Sequence, residues 1–549
     1  MAPQPKTVKG LDQSLQIRSD SMGYNPNSHH HDDVKIESLG FQGDESQIFR
    51  AYKASNHYKS RGKFWNDGKR DTLLRYINLT FIGIFQGTIA YFTNYIAKSF
   101  IDVSLLLINT NVWFLDSLTS IFGFILLKSL ILFLIFFFSK KAKFDRVTEV
   151  VVEGSLIKAF FILYYRQLLF AAWASGAVMI EPMSGGSGIP EVKCFLNGID
   201  LPRINDFKTG VCKILGVIGS VSAGLPVGKE GPMVHSGAVV AATISNGRVR
   251  DDKTRRDYVA AGAAAGVCTA FSAPIGGFLF AFEEGASYWS QSLTFRTFYT
   301  SGWAIATLYI LNTVGIRFHK IGFDKLFSFG NFAFEGSRSS YEIWELLVFI
   351  LLGILGGLIG AIFNDTNERL THWRIKHVNH TKWRRFAEVL IISSLVSVMM
   401  FAIPYIWQGC MPLPSVAEMS SQEEELVGHL NQFTCDEGFY NPVASLFLAD
   451  GNDAIKLLFH MHERTFPFYS LILFFTVYIS LATITYGIAV PSGLFVPSLL
   501  AGAAFGRLFG NLIYKITPYN VAFSNVYSLI GAAAVLGGMA RMTISLTVS

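Results

Sequence analysis

The chain has 549 residues, of which 51% are hydrophobic and 16% charged, and its mean hydropathy is +0.36. Soluble domains carry about 25% charged residues, so this composition excludes a soluble globular protein. The formal net charge of +6 is too small and too dispersed for a nucleic-acid-binding protein. Many apolar runs reach the roughly 20 residues that span a bilayer, which indicates a polytopic membrane protein.

Residues 1–70 are polar and lack a sustained hydrophobic period, so we predict a disordered N-terminal tail. The run His29-His30-His31 in this tail is interpreted as a solvated segment rather than a metal site. A cluster of basic residues between Lys59 and Arg75 precedes the first apolar run. Because positive charge favours the cytosolic side, we predict that the tail is cytosolic.

The apolar runs that follow predict a series of membrane helices. Two of them are short, as broken helices would be, and the run 118–139 is long enough to cross a bilayer. The predicted helices cover 73–107, 118–139, 159–181, 207–223, 233–244, 258–282, 297–311, 342–363, 387–405, 469–486, 498–514 and 529–548.

Two polar segments interrupt the second half of the chain. Basic residues between Arg374 and Arg385 predict a cytosolic loop. The segment 407–465 is an acidic insert that suits the opposite side, and it contains Cys410 and Cys435. These two cysteines are candidates for a disulfide facing a lumen or the outside, the alternative being two free thiols.

Four Gly-x-x-x-Pro units recur at 186–190, 228–232, 487–491 and 493–497, and most of them lead directly into an apolar run. A helix N-terminus presents unpaired N–H groups and binds anions without a full positive charge. We therefore interpret these units as interrupted helices that converge on an anion, the alternative being ordinary loops. Glu230 lies inside the second unit, and an acidic residue within a membrane segment indicates a functional site.

The sequences Gly-Ser-Gly-Ile-Pro, Gly-Lys-Glu-Gly-Pro and Gly-Leu-Phe-Val-Pro, in this order, resemble the three anion-site signatures of the CLC chloride channel and transporter family. The resemblance covers roughly residues 150–549 and is strongest to the late-endosomal and lysosomal exchangers. It implies an all-α membrane protein of the CLC fold, with inverted-topology repeats and broken helices over 71–549. It also implies an insertion at 108–141, and a chain that stops before the family's last helix and its two cytosolic CBS domains.

The resemblance also assigns residues to a chloride site. Ser187 would give its hydroxyl to a central chloride, and the backbone N–H groups of Leu494 and Phe495 would complete the site. Gly188 and Gly231 belong to the same signatures and are counted with the chloride-binding residues.

Two glutamates carry the proton-coupling hypothesis. By the resemblance, Glu230 would be the gating glutamate, competing with chloride when ionised and swinging away when protonated, with Lys229 beside it. Glu284 matches the internal proton-accepting glutamate of the exchangers, where passive channels of the family typically have valine. The alternative for Glu284 is a solvated acidic residue at a helix end.

The resemblance predicts voltage-dependent chloride/proton antiport in a late endosomal or lysosomal membrane. The implied partners are chloride, protons, membrane lipid, a second CLC subunit in a homodimer or heterodimer, and an accessory subunit. We predict no enzyme activity, no cofactor, no metal and no nucleic acid. The alternatives are a passive chloride channel, a truncated non-transporting subunit that modulates full-length CLC proteins, and a nucleotide-binding enzyme. The last alternative requires a Ser or Thr after Lys229, where this chain has Glu230.

Overall fold

A computed structural model of the chain describes residues 37–38, 47–59, 66–109, 153–246, 252–285, 289–316, 342–407, 409–414, 426–436, 438–462, 465–516 and 524–542. The described part is almost entirely helical. Its first half contains two short strands and nine helices, which are β1 (Glu37–Ser38), α1 (Gln47–Lys59), α2 (Asp67–Asn109), α3 (Glu153–Ile180), α4 (Ile189–Leu196), β2 (Ile199–Asp200), α5 (Phe207–Ser222), α6 (Glu230–Ser245), α7 (Asp252–Phe271), α8 (Pro274–Phe280) and α9 (Gln291–Ile316).

The second half of the described chain continues in the same way. Its elements are α10 (Glu345–His377), α11 (Lys382–Ile406), β3 (Met411–Pro412), β4 (Phe439–Tyr440), α12 (Pro442–Phe447), α13 (Gly451–His460), α14 (Phe468–Thr485), α15 (Phe495–Ile516) and α16 (Ser524–Ala540). The strands form two antiparallel pairs, β1 with β2 and β3 with β4.

Within the described residues, five helices are long and apolar enough to cross a membrane. They are Gly68–Ile101, Glu345–His377, Lys382–Ile406, Phe468–Thr485 and Phe495–Ile516. Since lipid offers no hydrogen-bond partners to the backbone, long helices are the expected spanning elements here. The prediction of a helical membrane protein is confirmed.

Small residues let the helices pack closely. A Cβ atom at Gly262 of α7 would lie 2.6 Å from the Cβ of Ala241 on α6. A Cβ atom at Gly356 of α10 would lie 2.6 Å from the Cβ of Ala534 on α16. Both distances are far shorter than a normal carbon–carbon contact, so the backbones approach each other where glycine alone fits.

The predicted single helix over 258–282 is wrong. The helix stops at Phe271, Ser272 takes a left-handed φ of 56°, and a new helix starts at Pro274. Proline has no N–H and clashes with the preceding turn, so a helix restarts at such a position more readily than it continues. The new helix ends in a π-helical turn over Ala281–Gly285.

The polar segments contain more secondary structure than predicted, and the candidate disulfide is present. The segment predicted as a disordered tail contains β1 and α1, and α2 begins at Asp67. The acidic insert contains a disulfide between Cys410 and Cys435, and it also contains the helices α12 and α13, whose apolar residues are buried against α14 and α15. The segments 29–31 and 118–139, and most of the insertion predicted at 108–141, lie outside the described residues.

Candidate functional site

The Gly/Pro loops from the two halves of the chain are paired with each other by backbone hydrogen bonds. The N–H of Gly186 donates to Val490 O at 3.0 Å, and the N–H of Ser492 donates to Gly186 O at 3.1 Å. Gly228 and Gly493 exchange two bonds, at 2.8 and 2.7 Å. Motifs that lie far apart in the sequence, such as Gly186 and Val490, therefore meet at one point.

Three helices begin at this meeting point. Their first intrahelical bonds run from Val192 N to Gly188 O at 3.0 Å, from Met233 N to Lys229 O at 3.0 Å, and from Ser498 N to Leu494 O at 3.1 Å. The N–H groups in the first turn of each helix, which precede these bonds, have no hydrogen-bond partner within their own helix. No side chain caps α4 or α6 in the structure as described, so the starts of both helices keep donors for an anion.

Ser187 and Gly231 are in direct contact across two of these motifs. A Cβ atom at Gly231 would lie 2.9 Å from the Cβ of Ser187 and 3.5 Å from the Cα of Gly493. Gly188, which precedes α4, has a φ of 79°, a conformation that glycine adopts readily and other residues rarely do. The three signatures are thus closely packed, and Ser187 lies beside the start of α6.

Glu230 is the first residue of α6 and its side chain is buried, with 3% exposed. Its Oε2 atom has no hydrogen-bond partner among the described residues. The same oxygen lies directly against Gly228, where any larger residue would collide with it. A buried carboxyl oxygen without a hydrogen-bond partner is costly unless a proton or a helix N-terminus stabilises the group.

Phe495 and Leu494 lie at the start of α15. Phe495 is buried and makes an edge contact with Phe271 of α7, with the ring centroids 5.3 Å apart. Leu494 is partly buried and packs against the apolar cluster around Tyr527. The structure therefore brings Ser187, Gly188, Glu230, Gly231, Leu494 and Phe495 into one region, with Lys229 as the residue preceding α6.

The structure does not describe where the Glu284 side chain lies relative to this region. Its backbone belongs to the π-helical turn Ala281–Gly285, and its side chain lies outside the described part of the structure. Its predicted role stays a prediction.

Sequence reasoning missed one face of α5 that holds both loops. Lys213 Nζ donates to Gly185 O at 2.9 Å, and Ser220 Oγ donates to Pro491 O at 2.9 Å. Between them, a Cβ atom at Gly216 would lie 2.5 Å from the ring of Pro491. These residues are spaced i, i+3 and i+7, so they share one side of the helix. The signal was present, because a lysine inside an apolar run is expensive and indicates a specific partner.

We expect Ser220→Ala to destabilise the protein by about 1–2 kcal/mol, because the buried Pro491 carbonyl would lose its donor. The measurement is unfolding in mixed micelles. The control is Ser480→Ala on α14, where an exposed hydroxyl donates to Thr476 O at 2.7 Å. Equal effects of the two substitutions would contradict the assigned role of Ser220.

Comparisons with known proteins add three findings. The sequence profile of the voltage gated chloride channel family matches residues 167–549. A protein of Mus musculus named H(+)/Cl(-) exchange transporter 7 is 36% identical over 534 residues, covering 94% of this chain and 59% of the relative. Chloride channel protein CLC-d of Arabidopsis thaliana is 37% identical over 428 residues, covering 73% of this chain and 53% of the relative.

Solved structures support the same architecture. A eukaryotic CLC transporter superposes with a TM-score of 0.58 at 19% identity, covering 87% of this chain and 67% of that one. A slow cyanobacterial Cl-/H+ antiporter superposes with a TM-score of 0.60 at 17% identity, covering 86% of this chain and 88% of that one. At such identities the likeness shows the fold. The chain spans between about half and three fifths of the length of the curated relatives it matches.

Proposed function

Because this chain belongs to the voltage gated chloride channel (CLC) family and has the CLC fold, we propose that it exchanges chloride for protons across an intracellular membrane. One observation carries the proposal. The buried Glu230 carboxyl lies where three helix starts meet, with one oxygen that has no partner among the described residues.

The chloride would bind to helix starts rather than to a full positive charge. The N–H groups at Leu494 and Phe495 and the Ser187 hydroxyl are the proposed donors. Partial charges of this kind hold a dehydrated anion and still release it, which transport requires. The close approach of Gly231 to both Ser187 and Gly493 supports a single compact site.

Glu230 would couple the two ions by competing for this site. When ionised, its carboxylate is itself an anion and is stabilised by the same helix starts that bind chloride. When protonated, it is neutral and loses that attraction, so chloride displaces it. One side chain thereby alternates between occupying an anion position and carrying a proton.

The exchange would be electrogenic. Chloride moving one way and a proton moving the other way transfer charge in the same electrical direction. A membrane potential of 100 mV contributes about 2.3 kcal/mol per transferred charge, so the exchange rate would depend on voltage.

The remaining parts of the proposal rest on the family resemblance. Glu284 would pass protons between Glu230 and the cytosol. We place the protein in a late endosomal or lysosomal membrane, as a homodimer or as a heterodimer with another CLC subunit. An accessory subunit would belong to the whole protein.

The test uses the purified chain in liposomes with potassium and valinomycin to clamp the potential. An outward chloride gradient should draw protons into the vesicles as chloride leaves. Chloride flux without proton uptake would indicate a passive channel and overturn the exchange proposal. Absence of both fluxes would overturn transport by this chain.

We expect Glu284→Val to reduce chloride-driven proton uptake by ~100-fold, while chloride flux continues. This factor is the lower end of the rate effect of a positioned proton-transferring side chain. Valine cannot ionise, so the proposed internal relay would be interrupted. The control is Glu283→Val, the same change one residue earlier on the π-helical turn. Proton uptake that survives in Glu284→Val would remove this residue from the pathway.

A further inference from the structure

The C-terminus of α14 is bound by two side chains of α10. The last carbonyl groups of a helix have no donor within the helix, so they need other partners when buried. Here Asn367 of α10 donates through Nδ2 to Thr483 O at 3.2 Å and to Tyr486 O at 3.0 Å. Arg374 of α10 donates through Nη1 to Tyr486 O at 2.8 Å and through Nη2 to Ile484 O.

Glu388 of α11 completes this group. Its Oε1 atom lies 2.6 Å from Arg374 Nε, and the two side chains are only 13% and 4% exposed. We call Asn367, Arg374 and Glu388 the α14 clamp. The planar guanidinium of Arg374 donates to the Glu388 carboxylate and to the carbonyls of Tyr486 and Ile484 at the same time. A lysine ammonium does not reproduce this fixed arrangement of donors.

The clamp is built against the loop that leads to the anion site. Gly487 follows α14 with a φ of 93°, and a Cβ atom there would lie 3.0 Å from Arg374 Nη1. Beyond this turn, Val490 O accepts from Gly186 N, and Gly493 is paired with Gly228. The clamp therefore fixes one end of a short segment whose other end supplies Leu494 and Phe495.

We propose that Arg374, oriented by Glu388, is a positioning residue for the anion site. It sets the end of α14 and thereby the placement of the N–H groups at the start of α15. This inference rests on the proposed function, since it assumes that chloride binds at those groups. The same helix carries an exposed pair for comparison, Arg369 with Asp365 at 2.9 Å, in which the arginine is 80% exposed.

The experiment measures chloride binding to the purified chain in detergent by calorimetry, together with chloride flux in liposomes. We expect Arg374→Lys to weaken chloride binding roughly tenfold, since the loop loses its fork-shaped anchor while the charge is kept. Glu388→Gln should weaken binding in the same direction. The matched control, Arg369→Lys, should bind chloride like the unchanged chain.

If Arg374 is purely structural, Arg374→Lys will lower the melting temperature of the protein and leave its dissociation constant for chloride unchanged. That result would overturn the inference. If Arg374→Lys cannot be purified, Asn367→Ala removes two bonds of the clamp without changing charge. An unchanged dissociation constant in that variant is also a refutation. If the unchanged chain binds no chloride, the proposed function and this inference both fail. If it binds chloride and the clamp variants bind equally well, only this inference fails.

Discussion

We expect the Glu230→Gln chain to lose chloride-driven proton uptake by ~100-fold or more while it still conducts chloride. Glutamine has nearly the same volume as the glutamic acid side chain, so the buried position between Gly228 and the start of α6 remains filled. The amide cannot ionise, and it resembles the carboxyl group in its protonated form. It would neither compete with chloride as an anion nor carry a proton.

The measurement is the ratio of proton uptake to chloride efflux in the same vesicles. Glu368→Gln on α10 is the control, since this carboxylate is on the same domain but its side chain is 75% exposed. The control should keep the ratio of the unchanged chain. If Glu230→Gln also keeps it, Glu230 is not the coupling group, and the assigned mechanism is wrong.

The Gly/Pro loops that begin helices could be predicted from sequence because their signals are local. A glycine that takes a positive φ, or a proline in the first turn of a helix, restricts the backbone over a few residues only. Gly188 and Pro190 illustrate this, since the helix begins between them as their chemistry suggests. The convergence of these loops was predicted, but the pairing of Gly186 with Val490 was not, because nothing local links the two positions.

Helix ends were predicted less well. Hydropathy shows which residues are apolar enough to lie in the membrane, whereas a helix can continue into polar residues. The helix predicted over 342–363 continues to His377, and its polar last turns stay helical since each backbone bond is made within the helix. Arg374 was therefore predicted to be a loop cation, whereas it is 3% exposed and inside α10. Its carbonyl partner at Tyr486 is 112 positions away, and no local pattern signals that contact.

The acidic insert shows the same difficulty. The helices α12 and α13 are too short to register as spans, yet Val443 and Leu458 are completely buried. Their burial depends on the apolar faces of α14 and α15, which follow later in the chain. Such short helices are stabilised by tertiary packing, so the periodicity of the segment itself does not predict them.

The end of α13 leads to the second large prediction. Arg507 of α15 is completely buried and donates to four carbonyl oxygens at this end. The acceptors and distances are Leu457 O at 3.4 Å, Leu458 O at 2.5 Å, Met461 O at 2.6 Å and His462 O at 2.7 Å. The guanidinium also lies 5.3 Å from the centre of the Phe466 ring. Positive charge at a helix C-terminus complements the helix dipole, so this contact joins α13 to α15 and offsets the cost of burying the charge.

We expect Arg507→Met to destabilise the protein by more than about 3 kcal/mol. Methionine occupies similar space but leaves several buried carbonyls without a donor, at about 1–3 kcal/mol for each unsatisfied group. The measurement is the apparent melting temperature of the purified chain in detergent. Arg507→Lys keeps the charge but makes fewer directed hydrogen bonds, so its melting temperature should lie between those of the unchanged chain and Arg507→Met. Arg369→Met replaces an exposed arginine and should melt like the unchanged chain. An Arg507→Met protein that melts with the control would mean that the bonds to α13 add no net stability, and that packing of α13 against α15 is sufficient to hold this side of the site.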